Sequence, residues 1–211
     1  MKRVVLAFSG GLDTSVAIRW LAERYGAEVV TVTLDVGQGR ELVDVRERAL
    51  AGGALRAHVI DAREEFARDY VLPSLQAGAL YENAYPLATA LGRPLISRRL
   101  VEMAQMESAD AIAHGCIGKI NDQVRIEVSA RGVDPNIRII TVAREWGMSR
   151  AEEIDYARAH GVMRLYSMDA VNNERMRKLA RDVGFTERPD PDDNTQVIYS
   201  LELRPSLKSR W

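Results

Sequence analysis

One cysteine, Cys116, stands in 211 residues, which excludes an internal disulfide and a cysteine metal cluster and suits a reducing compartment. A basic excess is also missing, since 29 Lys and Arg face 30 Asp and Glu for a formal net charge of −1. Binding along a phosphate backbone or an anionic membrane needs surplus cations, so neither nucleic acid nor membrane is expected as a partner. There is no secretory apolar stretch and no long apolar span near either end, so a cytoplasmic location is expected. Repeats and low-complexity tracts are absent. What remains is 46% hydrophobic, enough to bury one good α/β core with an appendage and too short for a second large domain.

The most informative run is Val4-Val5-Leu6-Ala7-Phe8-Ser9-Gly10-Gly11-Leu12-Asp13-Thr14-Ser15. An apolar strand enters Ser-Gly-Gly, and a hydroxyl-rich turn opens an amphipathic helix. Glycines let the backbone turn sharply and bring bare N–H groups close to an anion. Ser9, Asp13, Thr14 and Ser15 surround the helix start, where unpaired N–H groups and the positive dipole end favour phosphate. No lysine follows the glycines, so this is not a Walker A loop. Asp13 is placed to hold Mg²⁺ or a Mg²⁺-bound water. The plain reading, a Gly-Gly turn with Asp13 as an ordinary first-turn acid, accounts for the acid but not for the whole unit.

Short β-branched runs alternate with helical stretches, which predicts a doubly wound, mostly parallel sheet in an α/β fold. Strands are expected at 3–8, 28–34, 56–61, 109–113 and 138–141. Helices are expected at 13–25, 41–51, 62–70, 93–107, 122–130 and 150–160, with Ser149 and Glu152 forming a capping box and Gly161 as the stop. In such a sheet the segments after Phe8, Leu34 and Ala113 should meet in one crevice beyond the strands' carboxyl ends. Beyond them a helix is expected at 172–183, a Pro/Asp stretch at 188–194 and one apolar strand at 196–203. A lone terminal strand usually pairs with something, which suggests a homo-oligomer built through it.

The first run resembles the pyrophosphatase loop of the N-type ATP pyrophosphatases, and within them the argininosuccinate synthase family. The resemblance continues through Asp35-Val36-Gly37-Gln38, Ala79-Leu80-Tyr81-Glu82, Tyr85-Pro86-Leu87, Arg93-Pro94-Leu95-Ile96 and His114 to Arg125, covering residues 3 to about 169. It implies an adenine nucleotide alpha hydrolase-like, HUP-type Rossmann-like domain over 1–169, with 170–211 as a helix-and-strand extension. It also implies an ATP-dependent C–N ligase activity with ATP and Mg as cofactors and amino acids as small-molecule substrates. Ala7, Phe8, Ser9, Gly10, Gly11, Leu12, Asp13, Thr14, Ser15, Leu34 and Gly115 match the family's ATP-binding positions, Leu34 at the adenine ring. Tyr85, Thr89, Asn121, Arg125 and Ser167 match positions around citrulline, where a guanidinium fork suits a carboxylate. Asp122 matches the position that grips the ammonium group of aspartate. Asp13, Asp122 and Arg125 are the implied catalytic set.

Two residues depart from the family pattern. Ile117 stands where the family has a threonine that binds the aspartate carboxylate, and isoleucine has no hydroxyl to donate. Ile120 replaces a glycine. The family's chains are also about twice this length. Three readings therefore stay open. The first is an adenylylating ligase acting on a ureido or carbonyl oxygen, whose AMP an amine then displaces. The second is a pyrophosphatase of the same fold serving another nitrogen or sulfur nucleophile. The third is a non-catalytic or partner-dependent nucleotide-binding protein. Other residues have plainer readings: His114 as the buried end of a strand, Cys116 as a small filler, and Arg144-Glu145-Trp146, which resembles a family segment after the fifth strand, equally as a packing loop.

Overall fold

A computed structural model describes residues 1–38, 42, 44–85, 87–116, 121–191 and 193–203. They form two compact units, Met1–Gly147 and a second that starts at Met148. The first unit holds five parallel strands, β1 (Arg3–Ala7), β2 (Glu28–Asp35), β3 (Arg56–Asp61), β4 (Ala111–His114) and β5 (Arg138–Thr141). Their order across the sheet is β3-β2-β1-β4-β5. Val4, Val5 and Leu6 are wholly buried because both faces of the sheet are covered, which is why this strand reads as an unbroken apolar run.

Alternation along β1 sends Val4 and Leu6 to one face and Val5 to the other. Helices α1 (Leu12–Tyr25) and α2 (Val45–Ala51) pack on the first face through Ala17, Ile18, Leu21, Val45 and Ala49. The short helix α7 (Val142–Trp146) joins them, with Trp146 edge-on to Trp20, so the Arg144-Glu145-Trp146 segment is a packing element. The second face carries α5 (Ala88–Met106) through Leu95, Leu100 and Val101, with α6 (Asp122–Val133) adding Ala130. Arg3 of β1, and Arg56 and His58 of β3, converge on the buried Glu107 that follows α5, pinning the amino ends of the sheet.

All five expected strands of the first unit form, with shifts of one or two residues at their ends. The helices shift further. α5 begins at Ala88, ahead of the expected start at Arg93, so Pro94 lies inside it instead of opening it. The helix expected at 62–70 runs on: α3 (Arg63–Phe66) passes into a π-helical turn at Ala67–Val71 and then into α4 (Leu72–Gln76). Pro73 lies at the second position of α4, directly after the π-helical turn, and the run continues through it. α2 starts at Val45, and Glu41, where the pattern began the helix, lies outside the described residues.

The second unit comprises α8 (Arg150–Ala159), β6 (Arg164–Ala170), α9 (Glu174–Val183), β7 (Thr186–Pro189) and β8 (Gln196–Glu202). Ser149 and Glu152 form the expected capping box on α8. The three strands make an antiparallel sheet in the order β6-β8-β7, and Val197 and Tyr199 of β8 pack on Ala180 of α9. This corrects the expectation of a lone terminal strand awaiting a second copy. Both edges of β8 are already paired within the chain, by β6 and by a β7 drawn from the stretch expected to be a loop. Neither partner has a clear apolar alternation of its own, and β7 ends in Pro189, which an edge strand tolerates. The same pairing moves the unit boundary ahead of residue 169, since β6 belongs with β8. The basic end, 204–211, lies outside the described residues. Among the described residues no helix is long and apolar enough to cross a membrane.

Candidate nucleotide site

β1 and β4 are neighbours in the sheet, and the chain leaves them toward opposite sides, β1 to β2 and β4 to β5. Such a switch point opens a crevice at the strands' carboxyl ends. On the β1 side, Phe8 has its backbone fully engaged: its N–H donates to Val32 O at 2.9 Å and its carbonyl accepts from Thr33 Oγ1 at 2.7 Å. Ala7 ends the strand before it. Ser9 is thus the first residue to leave the sheet. Gly10 takes φ +78°, a left-handed conformation that favours glycine. Gly11 caps α1 in extended geometry with no side-chain cap, so α1 opens on backbone N–H groups that have no acceptor within the helix itself.

Hydroxyls hold the turn from within. Ser15 Oγ donates to Gly11 O at 2.8 Å and Thr14 Oγ1 to the same carbonyl at 3.3 Å. Ser9 Oγ lies 3.2 Å from Thr14 Oγ1 and accepts from the Gly11 N–H at 3.4 Å. On the β4 side, a Cβ added to Gly115 would meet Thr14 Cγ2 at 3.3 Å and Asp13 Cβ at 3.8 Å. The structure therefore brings Gly115 against the start of α1, as the motif spacing leads one to expect.

After β2, Asp35 Oδ1 accepts from Gly37 N–H at 2.9 Å, and Gln38 bridges the turn through Val36 N–H and Leu34 O. Leu34 is buried in the core of the second face, so its side chain is a wall rather than an exposed platform. Gly39 lies outside the described residues.

Beyond β4, Asn121 precedes α6 and Asp122 opens it. The Asp122 carboxylate is buried, with Oδ2 accepting from Arg93 at 2.7 Å and Oδ1 from Arg125 at 3.1 Å. Two predicted site residues, Asp122 and Arg125, are thereby joined to each other. Arg93 is a third member whose pairing the sequence did not announce. Tyr85 Oη and Thr89 Oγ1 lie 3.3 Å apart at the entrance to α5. Ile117 and Ile120 lie outside the described residues, and Ser167 belongs to the second unit, opposite Tyr199 on the β6–β8 pair.

His114 ends β4 fully buried, its Nδ1 accepting from Cys116 N–H at 3.3 Å and its Nε2 lying 3.9 Å from Glu127 Oε1. Burial pushes the imidazole pKa down to about 4 despite that carboxylate. Burial likewise raises the Cys116 thiol, which leaves it a poor nucleophile. Glu127 is pushed up by burial, but donation from Gln123 and Thr141, together with His114, leaves it below its usual range. The unfolded imidazole takes a proton near 6.5 and the folded one only near 4, so its contribution is complete above the first value and lost as pH falls toward the second. Unfolding free energy is expected to drop by about 2 kcal/mol between pH 7.5 and 5 from this group. Urea titrations of the chain and of His114→Gln check it, the variant lacking that part of the slope.

Among the described residues no group of three or more His, Cys, Asp or Glu side chains forms a metal site. Asp13 is the one carboxylate in the loop from Ser9 to Ser15. Mg²⁺ that arrives with a nucleotide takes one or two protein carboxylates, the phosphates and water, and a single aspartate fits that demand.

A family profile described as the arginosuccinate synthase N-terminal HUP domain matches residues 3–163. The chain is 48% identical over 209 residues to an argininosuccinate synthase of Anoxybacillus flavithermus, covering 97% of this chain and 52% of that protein. It is 55% identical over 161 residues to one of Oceanobacillus iheyensis, covering 76% and 39%. The chain thus spans about half the length, or less, of these curated relatives. Among solved structures it is similar to a predicted subunit of tRNA methyltransferase from Methanocaldococcus jannaschii, with a TM-score of 0.50, 16% identity, and coverage of 87% of this chain and 89% of that one. At that identity the likeness concerns the fold alone.

Proposed function

The chain belongs to the argininosuccinate synthase family through its N-terminal HUP domain, and from that premise we propose that it binds ATP at the β1–α1 loop and transfers its adenylyl group to a ureido oxygen. The polyphosphate lies on the N–H groups and hydroxyls from Ser9 to Ser15, at the positive end of α1. The adenosine faces the turn after β2 and Gly115. Asp13 would hold Mg²⁺, which supplies charge neutralisation when bound. The ureido oxygen of a citrulline-like substrate bonds to the α-phosphorus as the bond to the β-phosphate oxygen breaks and pyrophosphate leaves. An amine, aspartate in the family, then displaces AMP. Little covalent work falls to the protein, whose part is positioning and charge stabilisation. A cytoplasmic role with amino-acid substrates goes with this reading.

The observation that carries the proposal is the close approach of Gly115 to Thr14 and Asp13, where an added Cβ would already be tight, because it brings the two strand ends of the switch point to one loop. The test is isotope exchange between ATP and pyrophosphate, with citrulline and with citrulline plus aspartate. Citrulline-dependent exchange that Asp13→Ala abolishes is the expected result, and net pyrophosphate release on adding aspartate identifies the amine. ATP binding without exchange under any amino acid would leave a nucleotide-binding protein and sink the transferase reading.

A further inference from the structure

The loop after β1 has no lysine of its own, yet a cation reaches it from elsewhere in the chain. Arg48, on α2, donates from Nη1 to the carbonyl of Gly10 at 3.1 Å. Its guanidinium also lies over the Cα of that residue, since a Cβ built on Gly10 would stand 3.1 Å from Arg48 Cζ and 3.1 Å from Nη2, with Val45 Cγ2 at 3.2 Å. Val45 and Ala49, on either side of Arg48 in α2, are fully buried in the core of the first face, so the helix that carries Arg48 is fixed on the sheet.

This contact bears on the orientation of one peptide. No peptide in the described residues is cis, and in a trans peptide the carbonyl and the following N–H point in opposite directions. A Gly10 carbonyl held on the Arg48 side therefore turns the Gly11 N–H away from α2, toward Ser9 Oγ, which it approaches at 3.4 Å. Gly10 and Gly11 lack the Cβ atoms that ordinarily restrain such a unit, so nothing in their own chemistry prevents the peptide from turning over. Turned over, it would present a carbonyl oxygen where the loop offers an N–H, and an anion would meet a negative dipole end.

We propose that Arg48 is a positioning residue that holds the Gly10–Gly11 peptide in the orientation that binds the nucleotide's polyphosphate. The inference rests on the ATP-binding reading above and extends it to a residue outside the loop. It also accounts for glycine at position 10 twice over, by its φ and by the guanidinium that covers it. Because α2 follows the turn after β2, Arg48 ties the adenosine side of the site to its phosphate side.

Calorimetry of the 211-residue chain with ATP and with AMP, both with Mg²⁺, tests the proposal. Arg48→Met is expected to weaken ATP binding by about tenfold or more, the scale of one charge-assisted hydrogen bond, while AMP affinity stays within about twofold. Arg48→Lys, which keeps a charged donor, should recover most of the loss. Arg48→Met binding ATP as the parent does would overturn the proposal, and so would equal weakening of ATP and AMP, which marks a merely structural defect. Should the methionine variant not fold, Arg48→Gln decides on the same comparison. A parent chain that takes up no ATP removes the nucleotide reading itself, whereas a parent that binds and a variant that matches it removes only the role of Arg48.

Discussion

Gly115→Val is expected to lower ATP affinity by more than about 100-fold, equivalent to roughly 2.7 kcal/mol. The cause is steric. A bare Cβ at Gly115 already stands 3.3 Å from Thr14 Cγ2 and 3.8 Å from Asp13 Cβ, so alanine asks Thr14 to give by a few tenths of an ångström. Valine adds two methyl groups in a place where one is tight. Thr14 cannot retreat freely, because its hydroxyl bonds the Gly11 carbonyl and meets Ser9, and its side chain is buried. The displacement must then pass to the first turn of α1 and the loop that depends on it. Overpacking of this kind costs about 1–3 kcal/mol of stability, which a folded domain survives, so the binding loss is measurable on folded protein. Gly115→Ala should fall between, with a loss of about tenfold or less, on the scale of a slight overpacking. Calorimetry on the three proteins checks the order. Valine binding ATP within about threefold of glycine, a difference of roughly 0.6 kcal/mol, would mean that the end of β4 does not form a wall of the nucleotide site.

What the sequence revealed and what it hid follow from the range of the interactions involved. Buried parallel strands announce themselves by apolar and β-branched runs, and β1 and β2 stand where the longest of those runs lie. The capping box of α8 is a contact three residues long and is legible for that reason. The crevice was legible too, because a β-α alternation fixes which strand ends are neighbours. β6 and β7 were not, since their strand state comes from pairing with β8 rather than from their own residues, as Thr186-Glu187-Arg188-Pro189 makes plain. Propensity yields to partners in such cases. Arg48 and Arg93 were hidden in the same way: each meets its partner across helices, one at Gly10 and the other at Asp122, and no local spacing encodes either contact.

Asp122→Ala is expected to destabilise the chain by about 3 kcal/mol, because it strips the counter-charge from two guanidinium groups at once. Asp122 is nearly buried, and the side chains of Arg93 and Arg125 are 26% and 37% exposed, so solvent replaces the lost carboxylate only in part. Without it, Arg93 on α5 and Arg125 on α6 face each other as like charges. Asparagine should be little better, since it exchanges one accepting oxygen for an amide that itself donates toward a guanidinium. A double-mutant cycle separates this from simple loss of packing. Arg93→Met alone removes one charge but leaves Asp122 paired with Arg125, and should cost about 1–2 kcal/mol. Combined with Asp122→Ala it removes the repulsion as well as the bond, so the double variant should be more stable than the sum of the two by about 2 kcal/mol. Urea unfolding of the four proteins measures the coupling. Strict additivity would mean that the Arg93–Asp122 pair contributes nothing, and α5 and α6 would then owe their contact to apolar packing alone. The family resemblance implies Arg125 at the acceptor's carboxylate, and Asp122 holds that guanidinium at 3.1 Å, so variants that keep their fold are expected to lose citrulline-dependent exchange while ATP binding persists. That split assigns the triad to the acceptor side of the site and the glycine loop to the nucleotide side.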